Sequence, residues 1–168
     1  MLNVSIGDAP AELRAAVLAM KRADRVVRNS VFDDMKETMT PVWKSELSQR
    51  ASSAVGYGPR ILPANARITN GNPAQLVTAN SKRKLGHGVI PSVHWAGYEY
   101  GANRNAYRSV KSSKGKTYKR RTNRHLPARN KTGYVIGPTV AEVLPRAAAF
   151  WAQSVVRQFM DAAEEGGF

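Results

Sequence analysis

The chain has 168 residues, of which 42% are hydrophobic and 23% are charged, a composition typical of a folded globular protein and too apolar for a wholly disordered one. It contains no cysteine, which excludes disulfides, cysteine nucleophiles and thiolate metal sites. Its 26 Lys and Arg outnumber its 12 Asp and Glu, and the net charge of +14 favours a polyanionic or acidic partner. No apolar run approaches the roughly 20 residues that a membrane-spanning helix needs, and the first residues lack the pattern of a secretory signal.

The positive charge is concentrated in the middle of the chain. Residues 1–49 carry seven basic and seven acidic side chains, and residues 142–168 carry two basic and four acidic ones. Residues 50–141 carry seventeen Lys and Arg against a single acid, Glu99. A basic face that serves only solubility is the alternative interpretation, but ordinary surfaces mix both signs. The imbalance therefore favours a binding surface for nucleic acid or for an acidic protein.

The first part of the chain predicts helical structure. Asp8 is a suitable N-cap and Pro10 suits the first turn, so a helix is expected from there to about Ser48. Pro41 lies inside this run and predicts a kink or a break before it. Apolar residues recur at helical spacing and predict a core-facing stripe: Leu13, Val17, Met20, Val27, Val31, Met35, Met39 and Val42.

The middle of the chain predicts strands. The stretch "ARITNGNPAQLVTAN", residues 66–80, reads as two short strands joined by the turn cluster at residues 70–73. The aromatic and β-branched residues of "SVHWAGYEYG", residues 92–101, predict a third strand. "GYVIGP", residues 133–138, predicts a fourth strand that its final Gly-Pro stops.

The end of the chain predicts a second helical segment. Its apolar residues repeat at helical spacing: Leu144, Ala148, Trp151, Val155, Phe159 and Ala162. Pro145 suits an early turn of this helix, and Gly166-Gly167 would end it. Trp151 and Phe159 are predicted to be core anchors.

These elements predict one α+β domain over residues 1–168. The N-terminal and C-terminal helices would pack on one face of a small, mostly antiparallel sheet of about four strands. A long basic arm, residues 103–131, would be inserted between strands three and four. An insertion of that length is usually functional or disordered.

The arm carries eleven Lys and Arg and no acid. A hairpin with its tip near Ser113–Gly115 would suit the sequence, and Tyr107 and Tyr118 suit stacking on bases next to phosphate contacts. Because the charges repel one another, the arm is expected to order when a partner neutralises it. The candidate contact residues are Arg104, Tyr107, Arg108, Lys111, Lys114, Lys116, Tyr118, Lys119, Arg120, Arg121, Arg124, Arg129 and Lys131.

Glu99 is a separate candidate, as the only acid between Glu46 and Glu142. Its cationic surroundings in the sequence predict an ion pair with a Lys or Arg, within the subunit or across a subunit interface. A solvated carboxylate at the end of a strand is the alternative.

The sequence gives no support for catalysis. "KGKT" at residues 114–117 lacks the first glycine of a phosphate-binding loop, where this chain has Val110. His87, His94 and His125 do not have the spacing of a metal site. We expect no catalytic residue, no metal site and no cofactor, and we expect a half-buried structural role for His94.

Two stretches resemble a known family. Residues 98–101, Tyr-Glu-Tyr-Gly, match an aromatic-acidic-aromatic-Gly strand end, and residues 126–138, beginning Leu-Pro-Ala-Arg, match more loosely a return segment that leads into a closing helix. In order and spacing, most of the chain resembles the neck and tail-component proteins of long-tailed bacteriophages. The closing helix is similar to those of actinobacterial siphophage connector proteins. The basic arm departs from the family, whose loop at this point is short.

The resemblance implies a structural virion protein that forms a ring, with six copies expected, at the joint between phage head and tail. Its station would be that of a head-to-tail connector, a tail terminator or a tail-completion protein, assembled in the cytoplasm of the host bacterium. The expected partners are further copies of the chain, adjacent neck or tail-tube proteins, and genomic DNA passing through the lumen.

The partner of the arm is left open at this stage. DNA must slide through a neck during packaging and ejection, and tight phosphate contact would slow it. A neighbouring protein ring is therefore favoured over DNA as the partner of the arm. A free-standing nucleic-acid-binding protein that uses the arm for backbone contact is the alternative function.

Overall fold

The computed structural model of the chain describes residues 11–23, 25–71 and 73–165. The helices are α1 (Ala11–Arg22), α2 (Arg25–Ala51), α3 (Gly58–Ile61), α4 (Pro91–Tyr100) and α5 (Ile136–Glu165). The strands are β1 (Arg67–Thr69), β2 (Gln75–Val77), β3 (Tyr107–Lys111) and β4 (Thr117–Arg121). This mixture confirms the predicted α+β class. Among the described residues, no helix is both long and apolar enough to cross a bilayer.

The predicted sheet of about four strands is wrong. The described strands form two separate antiparallel pairs, β1 with β2 and β3 with β4. The first pair is the predicted short hairpin, with Ile68 opposite Leu76. The second pair lies inside the basic arm, where a hairpin was expected as an appendage and not as part of the central sheet.

The predicted third strand is a helix, α4. Its N-terminus is set by Pro91, whose fixed φ suits the first helical position, after Ile90 in extended conformation. Its end is set by Gly101, which has φ +67°. Pro91, Tyr98 and Glu99 are its buried residues, and their spacing follows one face of a helix.

The predicted fourth strand is partly the first turn of α5. This helix begins at Ile136, which places Gly137 and Pro138 inside it. A proline in the first turn costs no hydrogen bond, because the amide that it lacks would have had no partner within the helix. Pro145, expected in an early turn, therefore lies well inside α5.

The N-terminal helical region divides differently from its prediction. It forms two helices, α1 ending at Arg22 and α2 beginning at Arg25, and α2 continues through Pro41, where a kink or a break was expected. Burial confirms the predicted stripe at five positions: Val17, Met20, Val31, Met35 and Met39. The predictions at Asp8, Pro10 and Gly166-Gly167 lie outside the described residues, as does position 72 of the predicted turn.

The chain divides into two compact units. The first comprises the described residues of Met1–Trp43, Arg67–Val77 and Glu142–Phe168, and the second comprises Lys44–Ala66 and Thr78–Ala141. The core of the first unit contains buried residues at four-residue spacing on α5, which are Val143, Ala147, Trp151 and Val155. Trp151 is thus the predicted core residue, whereas Phe159 is 37% exposed and is not a core anchor.

Two buried tryptophans in the first unit differ in their hydrogen bonding. The Nε1 of Trp43 donates to the carbonyl of Val77 at 3.0 Å. The Nε1 of Trp151 is the one buried side-chain polar atom of the described residues without a hydrogen-bond partner. Each indole is only 1% exposed, so packing alone would make their contributions similar.

Trp43→Phe is therefore expected to lower the free energy of unfolding by about 1–2 kcal/mol more than Trp151→Phe does. The first change removes the hydrogen bond from Trp43 and leaves the carbonyl of Val77 without that donor. The second change removes an N–H group that has no acceptor. Equilibrium urea unfolding of the two variants measures the difference. Equal losses of stability would contradict it.

Candidate functional site

The arm contains a regular two-stranded hairpin, Tyr107–Arg121, which we call the basic hairpin. Its register places Tyr107 opposite Arg121, Arg108 opposite Arg120, Ser109 opposite Lys119, Val110 opposite Tyr118, and Lys111 opposite Thr117. This confirms the hairpin suggested by the sequence and fixes which side chains share a face.

The tip of the basic hairpin is a tight turn. The N–H of Gly115 donates to the carbonyl of Ser112 at 2.9 Å, and the N–H of Ser112 donates to the carbonyl of Lys116 at 2.8 Å. Gly115 has φ +80°, a conformation that glycine adopts without steric cost. A three-residue loop that ends in a left-handed glycine is a common hairpin connection, and it lies where the sequence predicted the tip.

The two faces of the basic hairpin carry similar chemistry. Because opposite residues in an antiparallel pair project from the same side, the first face carries Tyr107, Ser109, Lys111, Thr117, Lys119 and Arg121. The second face carries Arg108, Val110, Tyr118 and Arg120. Each face thus has one tyrosine and at least two cations, and neither face is apolar.

All thirteen candidate contact residues of the arm are exposed, including Tyr107 at 58% and Tyr118 at 46%. Within the described part of the chain, none of their Lys and Arg side chains forms a salt bridge with a carboxylate. The cations of the arm are therefore left for solvent or for a partner.

Two cross-strand pairs give the hairpin its local electrostatic character. On the first face, the guanidinium of Arg121 lies 5.2 Å from the centre of the Tyr107 ring, and its Nε donates to the Tyr107 hydroxyl at 3.0 Å. On the second face, Arg108 and Arg120 lie directly opposite each other. Like charges in that position destabilise a strand pair unless an anion lies between them or beside them.

The base of the hairpin is bound to the end of α4. The N–H of Ala102 donates to the carbonyl of Pro127 at 3.0 Å, and the N–H of Asn130 donates to the carbonyl of Tyr100 at 2.9 Å. The N–H of Tyr134 donates to the carbonyl of Glu99 at 3.0 Å. The return segment therefore runs alongside the end of α4 and fixes the direction from which the hairpin leaves.

Glu99 holds this base together. Its side chain is fully buried, and its two carboxylate oxygens accept three backbone N–H bonds, from Val135 at 3.1 Å, Ile136 at 2.9 Å and Gly137 at 2.9 Å. These are amides at the start of α5, which have no acceptor within the helix. A carboxylate at that position also interacts favourably with the helix dipole.

This differs from the ion pair predicted for Glu99. Its partners are backbone amides and not a Lys or Arg of the described chain, and a side chain without exposed area is out of reach of a neighbouring subunit. No local pattern indicates this arrangement, because the donors lie 36 to 38 residues further along the chain.

Two glycines make room for this base. Gly133 has φ +84°, and a Cβ there would collide with the carboxylate of Glu99. Gly101 has φ +67°, and a Cβ there would collide with the carbonyl of Ala128. Both positions need glycine for its conformation and for its lack of a side chain.

Tyr98, the residue before Glu99, is buried, and the centre of its ring lies 6.3 Å from that of the His125 ring. Burial, followed by the nearby Tyr57, raises the pKa of the Tyr98 hydroxyl above its usual value of 10.0. A raised pKa means that the folded state holds this proton more tightly. The resulting stability is complete below pH 10 and is lost as the pH rises through the raised value.

The histidines play local roles. His94 is exposed, where a half-buried position was expected, and its Nδ1 accepts a hydrogen bond from the N–H of Ile90 at 3.0 Å at the start of α4. This bond satisfies one amide next to the first turn of the helix.

The charge of the chain separates between the two units. Residues 44–66 and 78–141, which form the second unit, carry seventeen Lys and Arg and two acids, one of them the buried Glu99. The remaining residues carry nine Lys and Arg and ten acids. The positive field therefore belongs to the unit that bears the basic hairpin.

Comparison of the chain with protein-family models, with curated proteins and with solved structures found no match.

Proposed function

We propose that this chain is a structural virion protein that forms a ring at the head–tail joint of a long-tailed bacteriophage. In that ring it acts as a head-to-tail connector, tail terminator or tail-completion protein. The observation that carries the proposal is the basic hairpin, an exposed two-stranded arm whose described Lys and Arg form no salt bridge and whose base is held by the buried Glu99. A subunit of an assembly needs such a projection to reach what lies beside it.

The local geometry supports the same proposal. The two stretches that carry the family resemblance, residues 98–101 and 126–138, contact each other through the backbone bonds at the hairpin base and through Glu99. Together the two stretches set the direction in which the hairpin leaves and the residue at which α5 starts. The acidic residue of the first stretch has a role in this arrangement, although it ends a helix and not a strand.

Electron microscopy of the purified protein tests the proposal. We expect closed rings of one size, with six copies as the expected number, and we expect labelled antibody to bind at the head–tail joint of the virion. Analytical ultracentrifugation over a range of concentrations gives the number of copies independently. A protein that stays monomeric at all concentrations and is absent from virions would contradict the proposal.

A free-standing nucleic-acid-binding protein is the second candidate. The pairing of Tyr107 with Arg121 and the exposure of Tyr118 favour it, because aromatic and guanidinium planes next to cations suit nucleic acid. The same measurements separate the two functions, since this candidate needs no ring and no place in a virion.

A further inference from the structure

We infer that the basic hairpin inserts into the major groove of duplex DNA, with one face directed to each phosphate wall and without reading the sequence. The inference rests on the proposed function only for the place where DNA is met, which would be the lumen of the ring. The contact itself follows from the geometry of the hairpin.

The distribution of charge over both faces carries the inference. Lys111, Lys119 and Arg121 project from the first face, whereas Arg108 and Arg120 project from the second. A partner that lay against one side, such as the acidic surface of another protein ring, would neutralise one set and leave the other unpaired. A groove between two phosphate backbones neutralises both.

The dimensions of the hairpin agree with this placement. With its faces directed to the two walls, the hairpin spans the groove by its thickness, which is about 10 Å for one sheet layer with its side chains. The major groove of B-DNA, about 12 Å wide, admits such a ribbon, whereas the minor groove at about 6 Å does not. Lys114 and Lys116 at the tip extend the positive charge to the end that would enter first.

The opposed arginines point to an anion on the second face. Arg108 and Arg120 repel each other in the free protein, and a phosphate beside them would remove that cost. On the first face, Arg121 is held beside Tyr107 by a hydrogen bond and a cation–π contact, where its charge can meet the other phosphate wall. Because the cations of both faces are directed to the phosphate walls and not to the base edges, no sequence preference is expected.

A neighbouring protein ring was the partner expected from the sequence, because DNA must slide through a neck. Contacts to phosphate alone permit sliding, since each one is replaced by an equivalent contact further along and no base-specific bond has to break. Because the cations project from both faces of the hairpin, we now favour DNA over a protein ring as its partner, and phosphate contacts of this kind would not obstruct the passage of DNA.

Three variants test the inference. The first-face variant is Lys111→Gln, Lys119→Gln and Arg121→Gln, and the second-face variant is Arg108→Gln and Arg120→Gln. The matched control is Lys82→Gln, Arg83→Gln and Lys84→Gln, which removes three exposed cations from the same unit outside the hairpin. Fluorescence anisotropy with a 20-base-pair duplex, about two turns of helix, gives the binding constant as a function of potassium chloride concentration.

Each phosphate contact contributes about 0.9 to the slope of log binding constant against log salt. The first-face variant is expected to reduce the slope by about 2.7 and the second-face variant by about 1.8, whereas the control leaves it unchanged. If only one face reduces the slope, the contact is one-sided and insertion is wrong. If neither does, or if the control reduces the slope as much, the hairpin is not the DNA contact.

Footprinting and a single-stranded probe test the groove. Dimethyl sulfate methylates guanine N7 in the major groove and adenine N3 in the minor groove, and we expect saturating protein to protect N7 only. Protection of N3 instead would overturn the inference. Equal affinity for a single strand of the same length would also overturn it, in favour of base stacking.

The two proposals fail separately. The first outcome is that the protein forms rings but binds duplex DNA no better than a variant in which an Asn-Gly turn replaces residues 108–120. That outcome would keep the proposed function and make another protein the partner of the hairpin. A monomer that binds duplex through both faces would keep the inference and replace the proposed function by that of a free-standing DNA-binding protein.

Discussion

Glu99→Ala is expected to lower the free energy of unfolding by about 5 kcal/mol, because it removes three hydrogen bonds to a charged acceptor in a buried site. The amides of Val135, Ile136 and Gly137 would lose their common acceptor at the start of α5. For a chain of this size, the loss corresponds to a fall in melting temperature of about 10–20 °C. A water molecule in the vacated space would restore only part of it.

Glu99→Gln is expected to lower the stability less than Glu99→Ala does. One carboxylate oxygen accepts from Val135 and Ile136, and the other accepts from Gly137. An amide side chain keeps one acceptor and turns a donor toward the remaining N–H, so we expect a loss of about 2–3 kcal/mol, smaller than for alanine.

The control for both variants is Glu37→Ala, an exposed acid on α2, which is expected to change stability by less than about 0.5 kcal/mol. Thermal unfolding followed by circular dichroism measures all three proteins. Hydrogen exchange gives a second readout, since the three amides should be protected in the native protein and should exchange faster in Glu99→Ala. If Glu99→Ala is as stable as the control, the carboxylate does not hold the base of the hairpin.

The sequence predicted the elements whose signals are local. The correct predictions depend on residues within a few positions of one another: five positions of the N-terminal stripe, Trp151 and Val155 of α5, the β1–β2 hairpin and the turn at the tip of the basic hairpin. The other predicted positions of the α5 stripe, Leu144, Ala148, Phe159 and Ala162, are half-buried or exposed, and the buried stripe uses Val143 and Ala147 instead. Gly115 is an example of a local signal, since its positive φ belongs to the turn that the backbone bonds between Ser112, Gly115 and Lys116 close. The exposure of the arm also followed from its composition, because side chains of one sign avoid a shared core.

The error at α4 came from weighing residue preference above helix boundaries. Val93, Trp95, Tyr98 and Tyr100 are frequent in strands, and they led to the prediction of a strand. Pro91 at the first helical position and Gly101 just after the last one are signals for a helix that the sequence already contained.

Other features depend on contacts between distant residues and could not be read locally. α5 begins at Ile136 because Glu99, far away in the sequence, accepts its first amides. α2 continues through Pro41 because Met39, Trp43 and Leu47 are all buried, and their packing outweighs the hydrogen bond that proline removes. Tertiary contacts of this kind decide where helices begin and whether they continue.

If the chain has the proposed function, shortening the basic hairpin is expected to abolish the joining of phage heads to tails while the subunit stays folded. Tyr107 and Arg121 are opposite each other, so an Asn-Gly turn can replace residues 108–120 without moving the base. The change removes six Lys and Arg, together with Tyr118. No described residue of the removed segment is buried, so circular dichroism and melting temperature should change little.

A full-length neutral hairpin separates charge from shape. Substituting Gln for Arg108, Lys111, Lys114, Lys116, Lys119 and Arg120 keeps the length and register of the hairpin and removes the same six charges. If charge carries the function, both variants fail to restore infectivity when supplied to phage that lack the native protein. If reach alone is needed, the neutral hairpin restores it and the shortened one does not.

Trypsin reports whether the hairpin gains order in the assembly. A two-stranded hairpin without an apolar face is marginally stable by itself, and both strands of this one are almost wholly exposed. We therefore expect trypsin to cut the free subunit within Tyr107–Arg121 before it cuts elsewhere, because the Lys and Arg there are accessible and the local opening energy is low.

In virions, or in complex with duplex DNA, the same bonds should be protected, since a partner that lies on both faces would stabilise the strand pair and cover the cleavage sites. Protection of the hairpin in the isolated monomer would contradict this, as would normal yields of infectious particles from the shortened-hairpin variant.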